Sequence, residues 1–260
     1  MKLRNWISLG AAASVVLAVP VSVSAADGGT YQSNGVVEFV PSTGSTKPMN
    51  PDAPQENINP VDPTTPNGEP QPGTPGPLSI DYASSIDFGV NEISSRDETY
   101  YAKAQQFNQE GKDGGWTSNF VQVTDNRGTN AGWTLVVSQG GQFSNPDTQN
   151  KELVGAQIKF ANSQAVSNAE GMEPPAVTDI VLDPAGAESP VMSAAAGKGA
   201  GSWIDKWGSV SDAPAKEGSE ADPTKVNKAV SLFIPGKSAK DAVQYKTTLT
   251  WKLTDTPGNN

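Results

Sequence analysis

Residues 243–253 read VQYKTTLTWKL. Val243, Tyr245, Thr247, Leu249, Trp251 and Leu253 fall on one side, and Gln244, Lys246, Thr248, Thr250 and Lys252 on the other. Strict alternation of this kind defines an extended strand with one dry and one wet face. Residues 132–137, GWTLVV, repeat the arrangement, with Trp133, Leu135 and Val137 on one face. A chain with two such strands far apart in sequence must fold so that both indole-bearing faces reach a common interior. That constraint points to a β-sheet body closed by its last strand.

The region from residue 78 onward fits this. Short alternating segments at 79–88, 100–107, 120–124, 133–138, 153–160, 177–182, 230–234 and 243–253 are punctuated by Gly, Asn, Asp and Pro. Eight or nine strands without a helical period predict an all-β domain, a β-sandwich or irregular barrel, spanning 78–260. Residues 161–173 and 184–220, rich in Gly, Ala, Ser and Pro, read as long surface loops.

What precedes the domain has a different character. Residues 41–77 hold 11 of the 21 prolines with almost nothing apolar between them. Such a stretch predicts a disordered Pro-rich linker, reaching on the order of 100 Å if fully extended. Before it, residues 26–40 form a short N-terminal segment in which 36–40, VVEFV, can make one strand. Residues 1–25, with Lys2 and Arg4, an apolar run, Pro20 and a small-residue end, read as an export signal cut after Ala25 or Ala26. The expected product is secreted and held at the cell surface.

Composition excludes most chemistry. The chain has no cysteine and no histidine, so thiol nucleophiles, histidine bases and Cys/His metal sites are ruled out together. No carboxylate pair is placed for glycoside hydrolysis, no loop matches a defined calcium site, and residues 196–201, AGKGAG, lack the spacing of a phosphate loop. Neither a catalytic residue, a cofactor nor a metal is expected. The net charge of −10 repels nucleic acid, and any hold on an anionic wall has to come from local contacts.

Four side chains are candidate ligand contacts. Trp116 sits in a Gly-rich turn, and Trp203 and Trp207 lie in the 199–208 loop, where an indole face can stack on a sugar or a partner. Arg127, in the turn Asp125-Asn126-Arg127-Gly128, can pair with Asp125 or with a ligand carboxylate. Trp133, Leu135, Trp251 and Leu253 share faces with other apolar residues and read as mainly structural.

The paired triplets Trp133-Thr134-Leu135 and Trp251-Lys252-Leu253, the stretch VQVTDNRG at 121–128 and the ending LTWKLTD at 249–255 resemble the WxL domain of Gram-positive surface proteins. The resemblance covers essentially the whole chain after the signal. It implies non-covalent attachment to the wall through peptidoglycan or another wall polymer, and partners among other WxL proteins and a membrane-anchored companion. The alternative is a component of a surface complex or adhesin that docks such a companion or a host matrix protein. A polysaccharide hydrolase is the least favoured reading.

Overall fold

The computed structural model describes residues 28–213 and 225–258. The export signal at 1–25 and its cleavage point lie outside the described residues. The chain divides after Glu38 into two units. In the first, residues 28–38 form no strand and are exposed. Phe39 and Val40, at the start of the second, are likewise exposed and belong to no strand, so the strand expected at 36–40 is not formed.

The second unit is all-β. Its strands are β1 (Met49–Asn50), β2 (Ala53–Asn57), β3 (Asn59–Pro60), β4 (Leu78–Ala83), β5 (Glu98–Lys103), β6 (Gln105–Gln109), β7 (Lys112–Thr117), β8 (Phe120–Asp125) and β9 (Trp133–Gln139). They continue with β10 (Gln157–Phe160), β11 (Ser163–Ser167), β12 (Ala176–Val177), β13 (Ile180–Val181), β14 (Ser189–Ala194), β15 (Gly201–Trp207), β16 (Val210–Asp212), β17 (Lys225–Ile234) and β18 (Leu249–Thr254). One sheet runs β11-β15-β8-β4 and a second runs β12-β14-β9-β18. A third runs β13-β10-β17, with β16 and β5 both on β17, and β3-β6-β7 forms a fourth. Val121, Val123, Trp133, Leu135, Val137, Phe160, Trp207 and Val230 belong to one large core shared by the first three.

Every residue of β8 is buried, because both of its faces are covered. Val121 and Val123 face the large core, while Phe120 joins Met49, Ile58, Tyr82, Phe107 and Ile204 in a second cluster. Two members of that cluster come from the Pro-rich stretch, and this corrects the expected linker over β1 to β3. Gln122 replaces the missing ladder partner: its Oε1 accepts from Met49 N–H at 2.8 Å, and its Nε2 donates to the Lys47 carbonyl at 3.1 Å. Lys206 adds an ion pair to Asp52 at 2.8 Å. A stretch with few apolar residues still docks when those few cap a sheet face that would otherwise be wet. Past Asp62, residues 63–77 are mostly exposed and form no strand.

Two further expectations are corrected. The region 184–220 is not one loop, since β14, β15 and β16 lie in it, and β11 interrupts 161–173. The last strand is shorter than its alternation, starting at Leu249 because its partner β9 ends at Gln139 and Gly140-Gly141 turns away with Gly141 at φ 124°. Upstream, the pairing is reduced to a Gly140 N–H to Thr248 carbonyl bond at 2.8 Å and an isolated bridge from Ser144 to Lys246.

Candidate functional site

The two Trp-x-Leu triplets lie on neighbouring strands. β18 pairs antiparallel with β9, setting Leu253 opposite Leu135 and Trp251 opposite Val137. Directly opposed residues share a face, so both triplets aim at the same interior. Trp133 is 0% exposed and its Nε1 donates to the Gly199 carbonyl at 3.0 Å. Gly199 has φ +71°, and a Cβ there would meet Trp133 Nε1 at 2.9 Å and Ala194 Cβ at 2.4 Å. The glycine-rich 196–201 segment is thus shaped to close over an indole. Trp251 is half-buried and stacks 6.1 Å from Trp207, which lies 4.6 Å from Phe160.

This geometry removes two candidate contacts. Trp203 and Trp207 occupy alternate positions of β15 with their rings in the large core, and Trp203 Nε1 donates to the Ala200 carbonyl at 2.9 Å. They were expected on a surface loop; they are core residues because β15 is a central strand between β11 and β8, and a ring closed on both faces cannot stack on a ligand.

Arg127 is committed as well. Its Nε and Nη2 donate to the two oxygens of Asp125 at 2.9 and 2.7 Å, and Nη2 also reaches the Gly132 carbonyl at 2.8 Å. The Asp125 hydrogen bonds hold the guanidinium pKa above its ordinary value. Asp125 is buried, so this bidentate pair ties the end of β8 to the residue that introduces Trp133, across a turn with Gly128 and Asn130 at positive φ. Arg127→Lys is expected to lower stability by about 1 to 2 kcal/mol, because an ammonium keeps the charge but not the fork. Urea unfolding measures it.

Trp116 is the candidate that keeps an outward face, at 36% exposed. It sits on β7 directly opposite the exposed Gln106 on β6. The pair borders a cleft of about 150 Å³ whose walls include Lys103, Gln105 and Asn119. Gln105 is held from below by the Tyr82 hydroxyl, which donates to its Oε1 at 2.7 Å, and Lys103 is paired with Asp87 at 2.7 Å. Gln105 and Asn119 are buried and spend their amides on internal partners. An indole beside the one exposed amide of Gln106, with the lysine charge already answered, is what the cleft offers, and it suits a neutral hydroxyl- and amide-bearing ligand such as a sugar. Sequence reasoning missed Gln106, since only the β6–β7 register sets it beside Trp116. It also missed a wider depression of about 520 Å³ lined by Asn150, Lys151, Glu152, Lys237 and Ser238, which has no aromatic ring in its lining.

A family model described as WxL domain surface cell wall-binding matches residues 26–257. No curated protein and no solved structure gives a match.

Proposed function

This chain belongs to the WxL-domain surface cell wall-binding family, and from that premise we propose that it attaches non-covalently to peptidoglycan through the outer face of the β6–β7 hairpin. Attachment at the surface of the cell wall is the family's property, and the family is one of binding proteins. The finer reading rests on Trp116: it offers an accessible indole next to an exposed amide, on a hairpin whose inner side is anchored by Phe107 in the second cluster. With a net charge of −10 against an anionic wall, a local neutral contact is what physics favours.

The test is co-sedimentation of the full chain with purified Gram-positive sacculi. Trp116→Ala is expected to weaken pelleting about 10-fold, the loss of one modest aromatic contact, while changing the unfolding midpoint little. Equal pelleting of the two proteins would move the site elsewhere. If the chain pelleted only together with membrane extract, the primary partner would be a membrane-anchored companion and the protein a component of a surface complex. Peptidoglycan binding would then be secondary.

A further inference from the structure

The second sheet is left unfinished at β18. On its dry face Trp133, Leu135 and Val137 of β9 are fully buried, whereas Leu249, Trp251 and Leu253 of β18 are only half-buried. β18 pairs with β9 on one side, and no backbone group joins its other side to any described strand. β4 lies nearby without forming a ladder with it. The chain beyond β18 turns back toward β9 and β14, with Gly258 N–H donating to Ala194 at 3.0 Å, so it does not cover the open edge. Natural sheets blunt such edges with bulges, prolines, edge lysines or inward-pointing charges. β18 has a single lysine, Lys252, on its wet face and none of the others: its ladder with β9 runs six residues without a register shift. Among the other outer strands, β12 and β13 have two residues each, the ladders of β5 and β7 carry register shifts, β11 is met at Ser163 N–H by the Asp179 carboxylate at 2.9 Å, and β4 is capped by Thr74 N–H on the Ile80 carbonyl at 2.8 Å.

The same chain carries a segment suited to that edge. Residues 35–40, GVVEFV, are β-branched and aromatic apart from Gly35 and Glu38. Val37 is 74% and Phe39 88% exposed, and the segment belongs to no strand. Pro41 ends it and biases Val40 to extended backbone.

We propose that residues 35–40 of one copy add as an antiparallel strand to the open edge of β18 in a second copy. Every strand pair in the body is antiparallel. In an antiparallel register with Glu38 beside Lys252, Phe39 falls beside Trp251 and Val37 beside Leu253 on the half-buried face. Glu38 then sits on the wet face, next to a lysine whose present partner is the exposed Glu188 at 3.0 Å, a pair weak enough to share. Main-chain hydrogen bonds supply affinity and the alternating side chains supply specificity, as in β-strand addition generally. Each copy has one donor and one edge, so the contact is heterologous and propagates head to tail.

Sedimentation velocity on the full chain over a range of concentrations, with hydrogen exchange on the same samples, tests this. The expected result is concentration-dependent assembly, with protection arising together at 36–40 and 249–254. In the Val37→Asp/Phe39→Asp variant the assembly midpoint should move by more than about 100-fold, with near-ultraviolet tryptophan dichroism unchanged. A chain that stays monomeric with both segments unprotected overturns the proposal. So does protection at 36–40 that is independent of concentration, which would mean insertion into its own edge. Assembly that survives the double variant also overturns it, since another surface would then be responsible.

Discussion

Trp133→Ala lowers the stability of the body by about 3 to 5 kcal/mol, the usual cost of removing a large aromatic from a packed core, whereas Trp251→Ala costs about half as much. The two tryptophans occupy matching places in their triplets, yet their surroundings differ. Trp133 is enclosed, its N–H satisfied by Gly199; its loss leaves a cavity and an orphaned carbonyl. Trp251 lies on an outer strand, half-buried, with Trp207 as its ring partner, and the edge can relax into the space it vacates. Urea midpoints of the two variants measure the contrast. Equal losses would mean that the triplets act as symmetric halves of one lock, which the packing denies. Both variants should also pellet less on sacculi only in proportion to the unfolded fraction, unlike Trp116→Ala.

Alternation revealed the strands whose two faces differ. β9 and β18 were legible because Trp133, Leu135 and Val137, and Leu249, Trp251 and Leu253, recur at every second position, against polar neighbours except for Val136. β15 was not, for a physical reason: it is covered on both faces, so Ile204 enters the second cluster while Trp203 and Trp207 enter the first. Its sequence, GSWIDKW, therefore shows no clean period. The docking of residues 49–62 was hidden because it depends on Gln122, a polar residue in an apolar strand, holding main-chain groups that no local pattern announces. The same blindness made Arg127 an open candidate, since its pairing with Asp125 and Gly132 is a fact of turn geometry. Trp116 remained outward because its hairpin packs through Phe107 on one side only.

Asp205 introduces a pH dependence into this core. It lies on β15 between Trp203 and Trp207, opposite Val121 on β8 and Ala165 on β11, and is 0% exposed. Neither carboxyl oxygen completes a hydrogen bond of ordinary geometry. Burial is the main cause that pushes its pKa up from 3.8 to about 8, and the Asp179 carboxylate adds to it; the nearby Gln164 N–H and Ser163 hydroxyl offset only part. Between roughly pH 4 and 8 the folded chain therefore keeps a proton that the unfolded chain releases. Stability is greatest with respect to this group below its ordinary pKa, falls by up to about 1.4 kcal/mol per pH unit as pH rises, and levels off above pH 8. Asp205→Asn removes the titration while preserving shape. Near pH 4 the variant should match the parent closely, because a neutral acid and an amide face the same unpartnered site. Near pH 8 it should be the more stable by about 3 to 5 kcal/mol, since only the parent then bears a buried charge or a proton held against the solvent. Urea midpoints taken from pH 4 to 9 on both proteins test this. Parallel curves would show that water or a neighbour reaches the Asp205 carboxylate and keeps it ionised, and the closed core between the two tryptophans would have to be redrawn.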